Sequence, residues 1–144
     1  RSILVQVRAA DDDAATEDPT RSRVTLLVKI APDLADEDVD DIADLVLELG
    51  LDGVVATNTT IAHDRGPGGL SGPPLRSRAH EVVARLHSRL GGNATIMGVG
   101  GIETVEDARA LLDAGATLVQ AYTAFVYRGP WWPARLNAAL GRSH

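Results

Sequence analysis

A short aliphatic run gives way to a helical pattern four times between residues 24 and 140, and this alternation constrains the fold more than any other feature of the chain. The runs "VTLLVKI" (24–30), "GVVATNTT" (53–60), "ATIMGV" (94–99) and "TLVQAYT" (117–123) read as strands, the first a buried one. Apolar residues then recur at helical spacing: Val39, Ile42, Ala43, Val46 and Leu49 in the first helix, Val82, Val83, Leu86 and Leu90 in the second, Val105, Ala108, Leu111 and Leu112 in the third. Asp36 is placed to cap the first helix and Gly50 to end it. The second runs from about Ser77 to Leu90. Thr104 and Asp107 form a capping box for the third, which stops near Gly115, and "WWPARLNAALGRSH" (131–144) supplies a closing helix. Strand ends roughly 20 to 40 residues apart fit the ~30 residues per unit of a (β/α)8 barrel. The expected fold is α/β, with about four βα units making half of such a barrel. An open, doubly wound sheet is the alternative, because alternation alone does not separate the two.

At 144 residues with 44% hydrophobic content the chain has the size of one ordinary domain with a real core. Residues 9–22, "AADDDAATEDPTRS", are acidic and small, so 1–22 is expected to be a partial helix end followed by an acidic linker or loop, and 23–144 the half-barrel. No apolar run nears the ~20 residues that span a bilayer, and "RSILVQVRAADDD" lacks the features of a secretory signal; the chain itself reads as soluble. Without cysteine there is no disulfide framework or thiolate metal site. A net charge of −6 and 3% aromatic residues argue against a nucleic-acid surface, and oblige any anionic ligand to be held by local groups.

The stretch "GVGGIETVEDA" (98–108) asks whether a nucleotide binds here. The dinucleotide fingerprint fails at Glu103, where the last glycine should stand, and no G-K-[ST] ending makes a P-loop. Gly100 and Gly101 ahead of a helix suit either a phosphate held by free backbone N–H groups or a tight turn with close helix packing. Lys29 sits near the end of an apolar strand, where an ammonium needs a partner, a ligand or a route to solvent. "TNTT" (57–60) closes the next strand with four hydrogen-bonding side chains, which suit a polar ligand or a capped turn. "GGLSG" (68–72) suits close backbone approach to a ligand, or simple flexibility. Tyr122 and Thr123 add two hydroxyls at the end of the last strand. His63, His80, His87 and His144 make no metal cluster, and "DEDVDD" reads as a solvated helix face with charges favourable to the helix N-terminus. No nucleophile and base pair can be assembled, so no catalytic residue is assigned.

Taken in order, "VKIAPDL", "DGVVATNTT", "GGLSGPPL", "GVGGIETVEDA" and "AGATLVQAYTAFVYRGP" resemble the C-terminal half of dihydroorotate dehydrogenases, over about residues 24–130. "KIAPDL", "TNTT" and "YT" resemble the class 2, quinone-reducing branch. The resemblance implies strands five to eight of a (β/α)8 flavoprotein that oxidises dihydroorotate to orotate in pyrimidine synthesis, with FMN as cofactor and quinone as acceptor. It implies that Lys29 contacts the flavin ring near its N1–C2 edge, that Thr57 touches FMN, and that Asn58 and Thr59 hydrogen-bond the pyrimidine. Gly72, Gly101, Tyr122 and Thr123 would line the FMN side, the last three around the phosphate. It also implies partners beyond this chain: the N-terminal half of the barrel, which carries the catalytic serine, and an N-terminal segment that makes the membrane contact, placing the whole protein at the cytoplasmic face of the membrane. The piece alone is then expected to be inactive. The loop after Thr60 is shorter than is usual in the class, and no role is assigned to Trp131 and Trp132. Another phosphate-binding barrel enzyme without flavin, or a non-catalytic remnant, would be the alternatives.

Overall fold

A computed structural model describes residues 1–18, 20 and 22–141. Its centre is a four-stranded parallel sheet of β1 (Leu27–Ile30), β2 (Gly53–Ala56), β3 (Thr95–Val99) and β4 (Leu118–Gln120), lying side by side in sequence order. Lys29 stands opposite Val55, Val55 opposite Met97, and Met97 opposite Leu118. Parallel neighbours need a crossover, and α2 (Asp36–Glu48), α3 (Arg76–Leu90) and α4 (Val105–Asp113) supply them. The strand order never reverses, which is the arrangement of a barrel wall and not of a doubly wound sheet. A helix α1 (Ser2–Glu17) precedes the sheet; a short α5 (Thr123–Arg128) and α6 (Trp132–Leu140) follow it.

Side chains alternate across a strand, so the two faces of the sheet have different fates. Ile30, Val54, Ala56 and Ile96 are buried beneath the inward stripes of the helices: Val39, Ala43 and Val46 of α2, Ala79, Val82, Val83, Leu86 and Leu90 of α3, Ala108 and Leu111 of α4. Trp132 and Leu136 of α6 join this core while Trp131 stays exposed, so one tryptophan of the pair has a packing role. The opposite face carries Leu27, Lys29, Val55, Met97, Val99, Leu118 and Gln120; Lys29, Leu118 and Gln120 are exposed and the others half-buried.

Several elements differ from the sequence reading. The acidic stretch is helical as far as Glu17. Ala9, Ala10, Ala14 and Ala15 favour a helix there, and the buried Arg8 and Asp11, one turn apart, fasten it to the sheet. Arg8 also donates to the carbonyl of Gly50 at 2.8 Å and reaches Asp52, whose carboxylate accepts the Leu26 amide at 2.7 Å. Of that stretch, Pro19 and Arg21 lie outside the described residues, as do 142–144 of the closing helix, His144 included. Strand β2 ends at Ala56, because the next two amides diverge: Thr57 donates to Val99 on β3 at 2.7 Å and Asn58 to Ile30 on β1 at 2.8 Å. "TNTT" is therefore loop. Likewise β4 ends at Gln120, and the backbone has turned helical by Tyr122, so Thr123 opens α5 instead of closing a strand.

The Asp36 carboxylate does not cap α2, where Ala35 holds the N-cap position; it faces Arg78 and Arg85. It is the first rung of an ion-pair ladder. Asp36, Asp40 and Asp44 lie one turn apart on α2, and Arg78, Arg85 and Arg89 of α3 meet them. Arg85 holds Asp40 through two hydrogen bonds of 2.7 and 2.8 Å, and Arg89 grips Asp44 in the same two-pronged way. The acidic face is thus not merely solvated. Arg78 extends the ladder to the carbonyls of Pro32 and Leu34, fixing the loop after β1.

Candidate functional site

Parallel strands all deliver their C-terminal ends to one edge of the sheet, and the loops leaving that edge enclose a cavity of about 370 Å3. Lys29, Thr57, Asn58, Thr59, Gly72, Gly101, Tyr122 and Thr123 all line it. Gly100, offered by the sequence together with Gly101, lines it as well, whereas the sequence reading missed Ser71 and Gln120 as lining residues. Gln120 was legible in principle, since it stands opposite Val99 on the open face of β4.

Lys29 is exposed on the open face, so the desolvation that made it conspicuous in the sequence does not arise in this chain. It is the one charged side chain among the described residues lining the cavity. Thr57 is buried, with its hydroxyl 3.4 Å from the Val99 carbonyl, while Asn58 is exposed. The loop after them is closed on itself: Thr60 and Leu70 exchange backbone hydrogen bonds of 3.1 and 2.8 Å. Inside it, His63 Nε2 donates to the Gly68 carbonyl at 2.9 Å and His63 Nδ1 accepts the Arg65 amide at 3.2 Å, a pairing that the neutral ring satisfies. Gly69 passes so near Thr59 that a Cβ there would lie 2.1 Å from Thr59 Oγ1. Asp33, from the loop after β1, accepts the Thr60 hydroxyl and the Ile61 amide; the Thr60 bond foremost holds its carboxyl below the usual range.

The glycine turn after β3 departs from its expected role in one respect. Three of the amides at the start of α4 are already satisfied, because Asp107 accepts the Glu103 and Thr104 amides at 3.0 Å each and the Thr104 hydroxyl accepts the Asp107 amide. Burial works to raise the Asp107 pKa, but those amides and the nearby Arg76 guanidinium outweigh it and the carboxyl is held low. This helix end keeps its own carboxylate. Gly101 is buried with φ +73, and a Cβ on it would meet the backbone of Arg76 at 2.5 Å, so helix packing alone already requires glycine. Across the cavity Gly72, at φ +82, lies against Thr123, and the Thr123 hydroxyl meets Ser71 Oγ at 2.9 Å. Tyr122 is 77% exposed, leaving Thr123 as the better seated of the two hydroxyls expected around an anion.

The cavity thus presents hydroxyls and glycine backbone on the β3–β4 side, and a cation and an amide side chain on the β1–β2 side. A wall of consecutive βα units with a cavity at its strand ends is the architecture of part of an α/β barrel. The chain belongs to the dihydroorotate dehydrogenase family, whose model, described as "Dihydroorotate dehydrogenase", matches residues 2–143. The protein named dihydroorotate dehydrogenase (quinone) in Arthrobacter sp. (strain FB24) is 56% identical over 153 residues, covering 99% of this chain and 42% of that protein. Its namesake in Streptomyces coelicolor is 54% identical over 151 residues, covering 97% and 40%. Among solved structures, DHODH from Eimeria tenella in complex with ferulenol aligns with a TM-score of 0.78 at 44% identity, over 82% of this chain and 33% of that one. The chain spans about 40% of the length of the curated relatives it matches.

Proposed function

We propose that this chain forms strands five to eight of a dihydroorotate dehydrogenase barrel, holding the FMN phosphate and one side of the pyrimidine site. The observation that carries the reading is the convergence of all eight expected residues on one cavity. When bound, FMN would accept the hydride from dihydroorotate and pass electrons on to quinone. The chain's own part is to bind and orient. Lys29 sets a positive charge at the ring edge, and Thr57 fixes the turn beside it through Val99. Asn58 and Thr59 offer both donors and acceptors to the carbonyl and N–H groups of the pyrimidine. Gly72 lines the FMN side, and Gly101, Tyr122 and Thr123 surround the phosphate. Proton abstraction falls to a serine in the N-terminal half of the barrel, which is also the surface that would cover the open face of the sheet. Membrane contact at the cytoplasmic face belongs to a segment before that half.

The test is complementation. The chain is co-produced with the part of the Arthrobacter relative that it does not match, and FMN binding is followed by flavin fluorescence. Binding by the pair, and dihydroorotate-dependent reduction of quinone but not of NAD or fumarate, is the expected result. A pair that assembles and binds no FMN would overturn the reading, and one that binds FMN without turnover would favour a non-catalytic remnant.

A further inference from the structure

We propose that Asp33, in the loop after β1, is a positioning residue for the pyrimidine site: it holds Asn58 and Thr59 in place without touching the ligand itself. This rests on the reading above that assigns the pyrimidine to Asn58 and Thr59. Strand β2 ends at Ala56, so both residues lie in loop, with no ladder to fix them. Instead one short segment grips them from both sides. On the near side the Asn58 amide donates to the Ile30 carbonyl at 2.8 Å. On the far side the Thr60 hydroxyl donates to Asp33 Oδ1, and the Ile61 amide to Asp33 Oδ2 at 3.1 Å. A carboxylate can only accept, so the direction of both bonds is fixed. Ile30 and Asp33 stand three residues apart, and the end of β1 thus brackets Asn58 and Thr59. Lys29 directly precedes the bracket, which ties the cation and the two polar side chains into one unit.

The bracket is itself fixed. Arg78 of α3 donates to the carbonyls of Pro32 at 3.0 Å and Leu34 at 2.7 Å, the residues on either side of Asp33. The Thr60 bond holds the Asp33 carboxyl low, so both of its oxygens stay acceptors. Thr60 passes the constraint on: its backbone exchanges hydrogen bonds with Leu70, its hydroxyl accepts the Ala62 amide at 3.0 Å, and Gly69 packs on Thr59. The loop of residues 60–70 thus closes on a base that Asp33 anchors. Neither Asp33 nor Thr60 is among the residues lining the cavity, so their part is to hold and not to bind. A pyrimidine presents its carbonyls and N–H groups at fixed spacing, and a hydrogen bond weakens steeply once its donor is misaligned. Fixing Asn58 and Thr59 before the ligand arrives removes the cost of ordering them on binding.

The complemented barrel, loaded with FMN, is titrated with orotate by calorimetry. Asp33→Ala is expected to weaken orotate by roughly fivefold or more, the worth of one hydrogen bond to the ring, while FMN affinity stays within about twofold. Asp33 is exposed, so the variant should fold, which circular dichroism checks. Thr60→Val deletes the hydroxyl, keeps the shape and should weaken orotate in the same direction; Thr60→Ser keeps the donor and should bind orotate normally. Because Asp33 acts through Thr60, the Asp33→Ala/Thr60→Val double variant should be no weaker than Asp33→Ala alone. Normal orotate affinity in Asp33→Ala overturns the proposal, and so do losses that multiply in the double variant. An equal loss for FMN and orotate also overturns it, since the carboxylate would then only support the fold. If the unsubstituted barrel binds FMN but no orotate, the pyrimidine reading fails before any variant is made, and this inference falls with it.

Discussion

Gly101 and Lys29 are under opposite kinds of constraint. At Gly101 the backbone has φ +73 and an added Cβ would press on Arg76 Cα at 2.5 Å, so Gly101→Ala combines a left-handed penalty with overpacking. It should destabilise the fold by about 2 to 4 kcal/mol, visible as a lower urea midpoint; an unchanged midpoint would mean that the α3 terminus yields easily. Loss of flavin binding in such a variant says nothing about phosphate. Lys29 is the cleaner probe because it is exposed. Lys29→Met should shift unfolding by less than about 0.5 kcal/mol while weakening FMN binding in the complemented barrel, and a variant that binds FMN normally would remove Lys29 from the site. Of the eight expected residues all but Gly72, which stands in the Gly/Pro loop after β2, lie at or just beyond the end of an aliphatic run, where parallel strands bring side chains together; that made them legible as cavity-lining candidates, while the role of each came from the family resemblance. Ser71 was not legible in this way, since its partner Thr123 is 52 residues away and only the tertiary fold makes the pair.

Among the elements, α2 and α3 are joined by charge as well as by their apolar stripes. The hydrogen bond from Arg85 is the chief cause of the lowered Asp40 pKa, and that from Arg89 of the lowered Asp44 pKa. The unfolded chain therefore binds more protons than the folded one in acid. The stability these carboxyls contribute is complete above the ordinary aspartate value of about 3.9 and is lost as pH falls through the lower folded values. Thermal unfolding should be nearly flat from about pH 8 to 5 and decline below about pH 4, with Asp40→Asn/Asp44→Asn flattening the acid limb. A double variant with the wild-type acid limb would show that the ladder adds nothing. Helix α1 depends on a buried pair instead. Removing the guanidinium in Arg8→Ala strips a partner from both Asp11 and Asp52 and should cost about 3 kcal/mol in urea unfolding, while an exposed change such as Ile3→Ala costs far less. The helices of the repeating units were legible because each has an apolar stripe at helical spacing. In α1 the acidic end lacks one, and the contacts of Arg8 with Gly50 and Asp52 are more than 40 residues distant in sequence. Strand ends were overrun because aliphatic composition continues past the point where the amides of Thr57 and Asn58 leave the ladder for different neighbours.

For the whole molecule the deciding feature is the uncovered sheet face. Parallel sheets are normally buried on both sides, yet here Leu118 is 52% exposed and Leu27, Val55, Met97 and Val99 are half-buried, while among the described residues no strand pairs with the outer edges of β1 and β4. A surface of this kind binds its own like when its proper cover is missing. The chain alone should elute as self-associated species and brighten a hydrophobic dye, and both signals should fall when the N-terminal half of the Arthrobacter relative is co-produced with it. A one-to-one complex should then form, with amide hydrogen exchange slowed specifically in β1 and β4, because those are the edges a closing barrel pairs. Slowed exchange in the helices alone, with both edge strands unchanged, would mean that the partner docks on the outside and that no barrel has closed. FMN affinity supplies the second arm of the same argument, since a cavity bounded on one side by this chain needs the other half before it can enclose the ring. Flavin binding and edge-strand protection should therefore appear together, at the same ratio of the two pieces. Protection without binding would place the pocket's determinants elsewhere.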